Sequence, residues 1–389
     1  MRPQRSPRTV AVHGPSPRPR IDGPVAAPLV QSSTFEFESM SSMKRYNETG
    51  EGHLYTRYGN PTTDRVEGVL AALEGAERAL LFSSGMGATS AVYLSLLKTG
   101  DSIAAMRSIY GGTYRLISRR LPDLGIRPVF LETQDLTRFE ERIAEGTRLL
   151  HLETPTNPIL EIVDVADLVR RAHALGILVV VDSTFATPLL LNPLALGADL
   201  VIHSATKYLS GHSDVTGGVV AGSGALMAKI EEARRVHGAT PDPFAAWLLH
   251  RGLKTLPIRL ETQVRGAGIV AARLAANPEL VRVIYPGLPD HPGHALASRQ
   301  MRGFGAIVTI DVRRGQPAAE RVMDRLELVL RAASLGSVES LASMPIHTSH
   351  TGYTDQELAR AGVSSGMIRI SIGIEEPDEI AADLEQALG

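Results

Sequence analysis

Ala198-Asp-Leu-Val-Ile-His-Ser-Ala-Thr-Lys-Tyr-Leu-Ser-Gly-His212 begins as an apolar run and ends in small polar residues. Residues 200–202 have the pattern of a buried strand, and Ser204 and Thr206 precede Lys207. A lysine held where a buried strand ends is partly desolvated and loses its proton readily. Two hydroxyls beside it can donate to a phosphate without adding charge. The segment therefore predicts pyridoxal phosphate, joined to Lys207 as a Schiff base.

A second segment, Ile177-Leu-Val-Val-Val-Asp182, supplies the acid that such a cofactor requires. A carboxylate keeps the cofactor ring nitrogen protonated, and the protonated ring stabilises a carbanion on the substrate. The interval between Asp182 and Lys207 leaves room for one crossover between neighbouring strands. The alternative is that Asp182 caps a turn and Lys207 is a surface lysine. The pairing of the two residues at strand ends favours the cofactor site.

Asp182-Ser-Thr-Phe-Ala-Thr-Pro188 and His203-Ser-Ala-Thr-Lys-Tyr-Leu-Ser-Gly-His212 resemble the signature of the pyridoxal-phosphate-dependent cysteine and methionine metabolism family. That family includes cystathionine γ-synthase, cystathionine γ-lyase, methionine γ-lyase and the O-acylhomoserine sulfhydrylases. The resemblance runs from about Leu29 to the C-terminus. It implies the type I fold of pyridoxal-phosphate-dependent transferases. It also implies a homo-oligomer with shared active sites, expected to be a tetramer built as a dimer of dimers.

The resemblance also implies roles for individual residues. Those expected to bind the cofactor are Tyr55 and Arg57 from the neighbouring subunit, Gly85, Met86, Tyr110, Asn157, Asp182, Ser204, Thr206 and Lys207. Tyr110 is expected to stack on the cofactor and to transfer protons alongside Lys207. Ser334, Arg369 and Tyr110 are expected to bind the substrate. Arg369 lies in an otherwise apolar strand, where an arginine is costly unless paired, so a structural ion pair is the alternative.

Composition excludes several other classes of protein. The chain has 389 residues, 43% of them hydrophobic, which is enough for two domains. A net charge of -2 favours neither nucleic acid nor an acidic membrane surface as a partner. The absence of cysteine excludes disulfides, thiolate metal ligands and a cysteine nucleophile. No apolar run is long enough for a membrane span and no secretory signal is present, so we expect a cytoplasmic enzyme.

The order of elements predicts three parts. Residues 1–59 are expected to form an N-terminal arm that contacts the neighbouring subunit, irregular up to about residue 28 because of its prolines. Residues 60–256 alternate strands with helices, the pattern of an α/β domain with a mostly parallel sheet. Residues 257–389 are expected to form a smaller α+β domain. Tyr110, Asn157, Asp182 and Lys207 each follow a predicted strand, where ligands of such sheets bind.

His347-Thr-Ser-His350 could suggest a metal pair. The sequence places no acidic or cysteine partner nearby in a recognised metal spacing. We expect instead a loop near the active site, without metal.

Three functions compete on the sequence. The first is γ-elimination from methionine, homocysteine or cystathionine, giving 2-oxobutanoate, ammonia and a thiol, with γ-replacement as its alternative within the family. The others are an aminotransferase or decarboxylase, and a non-catalytic pyridoxal-phosphate-binding protein. Ala333 stands where many cystathionine-handling relatives carry glutamate, which favours a substrate with an uncharged tail. Against that, Gly112 stands where methionine γ-lyases commonly have cysteine. The elimination enzyme on sulfur amino acids is our prediction.

Overall fold

The N-terminal residues include a helix that the sequence did not predict. A computed structural model of the chain describes residues 5–15 and 23–389. Helix α1 spans Pro7–His13, and the Ser6 side chain caps it by accepting from the Thr9 amide. The prediction of an irregular arm is wrong here. Proline lacks an amide hydrogen, but at the first position of a helix that hydrogen has no acceptor within the helix, so proline is tolerated there. Residues 1–4 and 16–22 of the predicted arm lie outside the described residues.

The larger sheet has seven strands, and most of the residues predicted to bind the cofactor lie at the ends of these strands or just after them. They are β1 Arg78–Phe82, β2 Ser102–Met106, β3 Arg127–Leu131, β4 Thr147–Glu153, β5 Leu178–Asp182, β6 Leu200–Ser204 and β7 Gly218–Gly222. Their order is β1-β7-β6-β5-β4-β2-β3. Strand β7 runs opposite to the other six strands, so the predicted mostly parallel sheet is confirmed.

Helices cover both faces of this sheet, which is why strands such as β2 and β7 are buried throughout. The helices in this part of the chain are α2 Met40–Thr49, α3 Pro61–Glu74, α4 Gly85–Leu96, α5 Gly111–Arg115, α6 Phe139–Arg142, α7 Val165–Ala174, α8 Thr187–Leu190, α9 Gly224–His237 and α10 Pro243–Leu253. The sequence pattern predicts a helix capped by Thr62 or Thr63, but α3 starts earlier, because Asn60 caps it by accepting from the Thr62 amide at 2.8 Å.

The second sheet has five strands in the order β10-β11-β12-β9-β8. They are β8 Leu280–Ile284, β9 Ile307–Val312, β10 Leu330–Arg331, β11 Leu341–Ser343 and β12 Met367–Ser371. The helices around it are α11 Leu256–Leu274, α12 His294–Gln300, α13 Gln316–Arg325, α14 Asp355–Arg360 and α15 Pro377–Leu388. The predicted α+β class of this part is confirmed, while the predicted domain boundary at residue 257 stays a prediction.

One predicted helix is too long. The pattern predicts a helix over residues 318–329, but α13 ends at Arg325. The Asp383 carboxylate accepts hydrogen bonds from the amides of Glu327, Leu328 and Val329, which holds these residues outside a helix. Within the described residues no helix is long and apolar enough to cross a membrane.

Candidate active site

The ends of the parallel strands open into a cavity of about 460 Å³. Residues of both sheets line it, since β12 and the loop after β10 face the edge of the larger sheet. Ten of the residues predicted to bind cofactor or substrate line this cavity: Gly85, Met86, Tyr110, Asn157, Asp182, Ser204, Thr206, Lys207, Ser334 and Arg369. The structure therefore brings together residues that lie up to 284 positions apart in the printed sequence, from Gly85 to Arg369.

Lys207 lies just beyond the end of β6, as the sequence predicted. Its backbone amide donates to the Ser204 carbonyl at 3.2 Å, and its Nζ donates to Ser334 Oγ at 3.0 Å. The pKa of Lys207 is lowered to about 8, mainly by burial and to a smaller extent by the positive charge of Arg369. Such an amine releases its proton more easily than a solvent-exposed lysine, as a Schiff-base lysine requires.

Asp182 is the last residue of β5, and a neighbouring threonine orients it. Asp182 Oδ1 accepts from both the Thr184 amide at 3.0 Å and Thr184 Oγ1 at 2.5 Å. The Thr184 hydroxyl in turn accepts from the Ser204 amide at 2.9 Å, which fixes the end of β5 to the end of β6. Burial raises the pKa of Asp182, and the Thr184 hydrogen bonds oppose that rise. Sequence reasoning missed Thr184, although its position two residues after the aspartate is typical of an Asx turn.

An anion-binding cradle lies where β1 turns into α4. Ser84 caps α4 by accepting from the Gly87 amide at 3.0 Å, and the first amides of a helix have no partner within the helix. A Cβ on Gly85 would lie 3.2 Å from Ser204 Oγ, so glycine lets the helix start approach the serine closely. Thr206 is held by the Gly217 amide, which donates to its hydroxyl at 3.0 Å. Helix amides and hydroxyls in this arrangement suit a phosphate.

Two further residues face the cavity from the loops after β2 and β4. Tyr110 is 45% exposed and stands at the start of α5, and Asn157 is buried. Both backbone amides donate to one carboxylate, that of Glu153: Tyr110 to Oε2 at 2.8 Å and Asn157 to Oε1 at 2.9 Å. Sequence reasoning missed Glu153, which ends β4 and lines the cavity.

Arg369 enters the cavity from β12 of the second sheet. It is only 6% exposed, and its guanidinium donates to Asn157 Oδ1 at 3.0 Å and to the Ser334 carbonyl at 2.7 Å. In the described residues no carboxylate forms a salt bridge with it, and its Nε has no hydrogen-bond partner. The structural ion pair considered from the sequence is therefore not found there. A buried guanidinium without a counter-charge is suited to bind an anionic group of a ligand.

Tyr55 and Arg57 are not among the residues that line the cavity of their own chain. Arg57 donates to the Arg235 carbonyl at 2.9 Å, and its guanidinium lies 5.6 Å from the Tyr55 ring and 4.8 Å from the Tyr58 ring. Tyr55 is 41% exposed. Tyr55 and Arg57 therefore form a cationic and aromatic surface outside the cavity of their own chain.

The His347 loop lies at the rim of the cavity. His347, Thr348 and Ser349 line it, and the Ser349 carbonyl packs so closely on Gly111 that a Cβ there would lie 1.8 Å from the oxygen. His347 Nε2 contacts Glu320 at 3.2 Å, whereas His350 is buried and contacts Ser349 Oγ at 2.9 Å. Over residues 5–15 and 23–389 no group of three potential ligands could hold a metal ion.

These features define the class of protein. An amine with a lowered pKa, a partly buried carboxylate at the end of the neighbouring strand, an anion cradle and an unpaired guanidinium fit pyridoxal phosphate with an amino-acid substrate. The fold is that of a type I pyridoxal-phosphate-dependent enzyme.

Comparison with known proteins specifies the family. The family model for Cys/Met metabolism PLP-dependent enzymes matches residues 8–389. An L-methionine γ-lyase of Fusobacterium nucleatum subsp. polymorphum is 40% identical over 384 residues, 98% of this chain and 97% of that protein. An O-succinylhomoserine sulfhydrylase of Pseudomonas aeruginosa is 40% identical over 361 residues, 92% of this chain and 90% of that protein. The chain belongs to the pyridoxal-phosphate-dependent enzymes of cysteine and methionine metabolism, as the sequence predicted.

A solved structure supports the same assignment. Cystathionine γ-synthase of Xanthomonas oryzae pv. oryzae, in complex with aminoacrylate and cysteine, superimposes with a TM-score of 0.92 and 37% identity. The match covers 98% of this chain and 97% of that one. The chain is thus an enzyme of sulfur amino acids that uses pyridoxal phosphate, whichever of the family's reactions it performs.

Proposed function

We propose that the protein catalyses γ-elimination from an uncharged-tail sulfur amino acid, methionine or homocysteine. For methionine the balanced reaction consumes water and yields 2-oxobutanoate, ammonia and methanethiol. The observation that carries this choice is the lining of the cavity near Ser334. Ala333 and Leu335 line it there, and within the described ranges its only carboxylates are Glu153 and Asp182, at the strand ends. No acidic group in this lining would pair with the distal ammonium of cystathionine.

The residues that would hold the cofactor lie at one edge of the larger sheet, around a single cavity. Lys207 would provide the amine that bonds to it, and Asp182 would provide the acceptor for its ring nitrogen. The amides of Gly85 and Met86, with the hydroxyls of Ser204 and Thr206, provide donors for its phosphate. When bound, pyridoxal phosphate draws electrons from the substrate, which makes the protons on its Cα and Cβ acidic.

The substrate is oriented by the second sheet and by Ser334. Arg369 donates to the substrate carboxylate, and burial makes that bond stronger than it would be in water. Lys207 Nζ would accept the α-proton and, after passing it on, the Cβ proton whose loss allows the γ-sulfur to leave, and its lowered pKa suits it to this role. Tyr110 delivers a proton to the γ-sulfur as the thiol leaves. Asn157 donates from its amide nitrogen to the cofactor ring oxygen, since its Oδ1 is occupied by Arg369.

Two subunits share each active site in this proposal. Arg57 and Tyr55 do not line their own cavity, and a guanidinium can bond two phosphate oxygens at once, so we infer that they serve the cavity of a second copy of the chain. We infer a homodimer as the smallest active unit and a dimer of dimers as the assembled enzyme. A cytoplasmic location remains a prediction from the sequence.

The alternative within the family is γ-replacement, in which a thiol such as cysteine replaces the γ-substituent of an O-acylhomoserine. Gly112 favours it, because this residue departs from the cysteine common in methionine γ-lyases. The same site could serve both reactions, since they differ in whether water or a thiol completes the turnover.

The test uses the purified enzyme with methionine and with neither an amino acceptor nor a thiol. We expect equal amounts of 2-oxobutanoate and ammonia, a visible absorbance band from the cofactor, and loss of both activity and band in Lys207→Ala. An enzyme that releases no ammonia from methionine would contradict elimination, and would favour γ-replacement or, if an amino acceptor restores turnover, an aminotransferase. A Lys207→Ala protein with an unchanged, borohydride-sensitive band would contradict the role of Lys207.

A further inference from the structure

The Glu153 carboxylate joins the loops after β2 and β4 at the cavity. Its Oε2 accepts from the amide of Tyr110 at 2.8 Å, and its Oε1 accepts from the amide of Asn157 at 2.9 Å. One side chain thereby fixes the backbone at two residues that face the cofactor site. The mechanism proposed above does not use Glu153 itself.

The surroundings of Glu153 are unusual for a structural carboxylate. It is 5% exposed, and in the described residues it forms no salt bridge. It is also the register partner of Asp182, so two carboxyl groups emerge side by side at the same edge of the sheet. Burial and the charge of Asp182 both raise the pKa of Glu153, while the two amides oppose that rise. A buried acid in such a place is costly, and a fold that needed only two loop contacts could make them with a neutral side chain.

The contacts of Glu153 extend to the substrate side of the cavity. Asn157, whose amide Glu153 holds, also accepts from Arg369 Nη1 at 3.0 Å. Tyr110, at the other carboxylate oxygen, begins α5, and its ring packs near Gly112 and Met86. The same carboxylate is therefore linked through one residue to the guanidinium and through another to the exposed phenol. A shift of Glu153 would move both.

We propose that Glu153 is a positioning residue that sets the stacking position of Tyr110 and the orientation of the Asn157–Arg369 pair together. The proposal rests on the proposed function, since it assigns roles to residues of that site. A glutamine is the informative substitution, because its amide can accept from one of the two backbone amides but presents a donor to the other. Glu153→Gln therefore releases one loop without changing the volume of the side chain.

The experiment compares wild type, Glu153→Gln and a control, Glu161→Gln. Glu161 is a largely buried carboxyl of the same loop that contacts Thr133 Oγ1 at 2.5 Å and does not line the cavity. Three quantities are measured: visible circular dichroism of the bound cofactor, glycine binding followed by cofactor absorbance, and kcat and KM for methionine. Circular dichroism reports the tilt of the cofactor in its site, which a loss of general stability alone does not change.

We expect Glu153→Gln to retain the cofactor band, because Lys207 and Asp182 are unchanged. Its circular dichroism should differ from that of wild type, and both glycine affinity and kcat should fall by about 10- to 100-fold, the range for one lost hydrogen bond to a charged acceptor. Glu161→Gln should match wild type in all three. Should Glu153→Gln not fold, Glu153→Asp, which cannot reach both amides, is measured in its place.

Unchanged circular dichroism with unchanged glycine affinity and kcat in the folded variant would overturn the proposal. Equal losses in Glu161→Gln would also overturn it, because the effect would then belong to the loop as a whole. A wild-type enzyme with a cofactor band but no 2-oxobutanoate from methionine would contradict the proposed reaction instead. In that case circular dichroism and glycine binding still decide the role of Glu153.

Discussion

Lys207 and Arg369 share one residue, Ser334. Lys207 Nζ donates to the Ser334 hydroxyl at 3.0 Å, and Arg369 donates to the Ser334 carbonyl at 2.7 Å. Lys207 belongs to the larger sheet and Arg369 to the smaller one, so the two cations approach each other only because the two sheets pack together. Their mutual repulsion, in a buried place, is part of why the Lys207 amine releases its proton easily.

The pH dependence of cofactor binding tests the environment of Lys207. Only the neutral amine reacts with an aldehyde, and burial with the Arg369 charge lowers the pKa of Lys207 from 10.5 to about 8. The rate at which apoenzyme takes up pyridoxal phosphate should therefore rise about tenfold per pH unit below pH 8 and level off above it. The measurement is stopped-flow absorbance at constant ionic strength. A rate that continues to rise to pH 10.5 would show an ordinary, solvated lysine.

The same profile measured on Arg369→Gln provides a check of the cause. Removing the guanidinium charge should move the point where the rate levels off to higher pH, because one of the two contributions to the lowered pKa is lost. An unchanged profile would mean that burial alone determines the pKa of Lys207.

Gly112 is predicted to leave room for the Tyr110 ring. A Cβ on Gly112 would lie 2.5 Å from Tyr110 Cε1 and 3.0 Å from Met86 Sδ, so Gly112→Ala must displace the ring. A displacement of about 1 Å in a catalytic group can cost about 100-fold in rate, so we expect kcat to fall by about that factor. Gly268→Ala is the control, because a Cβ at that helical glycine meets nothing within 4 Å. Equal activity of the two variants would argue against a role for the Tyr110 position.

Shared active sites can be tested by mixing inactive chains. Arg57→Ala lacks the residue donated to the partner's site, and Lys207→Ala lacks the cofactor lysine of its own. A hybrid dimer contains one site with both residues intact, so random exchange should restore about a quarter of wild-type activity. Subunit exchange is verified with differently tagged chains. Complete inactivity after verified exchange would place Arg57 in its own chain's site.

Ala333 is predicted to control the choice of substrate tail. Ala333→Glu would place a carboxylate in the cavity wall, where it can pair with the distal ammonium of cystathionine. A charge-assisted hydrogen bond of about 1.5–3 kcal/mol should shift the ratio of kcat/KM toward cystathionine by about 10- to 100-fold. Ala333→Gln, similar in size but neutral, should shift it much less. Equal shifts in both variants would mean that side-chain volume, and not charge, sets the preference.

Much of the site could be predicted because it lies at strand ends. Asp182 and Lys207 each follow an aliphatic run, and such runs identify buried parallel strands. Their position then follows from topology, since the carboxyl ends of parallel strands meet at one edge. Arg369 was identified because a charged residue in an apolar strand is conspicuous.

Other features could not be predicted because they depend on contacts distant in sequence. Glu153 ends a strand as many surface glutamates do, and only the fold shows that two loops converge on it. Strand β7 is short and bounded by glycines, so nothing local indicates that it inserts antiparallel between β1 and β6. The many prolines of the arm predict irregular backbone, although Pro7 occupies the first position of helix α1, where proline is favoured.

The most direct test of the proposed function is a side-by-side measurement of kcat/KM for three substrates with the wild-type enzyme. These are methionine alone, cystathionine alone, and O-succinylhomoserine with cysteine. We predict 2-oxobutanoate, ammonia and methanethiol from methionine without any acceptor, at a kcat/KM no lower than that for cystathionine. A strong preference for cystathionine, or turnover only when O-succinylhomoserine and a thiol are supplied together, would contradict the assignment of γ-elimination from an uncharged-tail substrate.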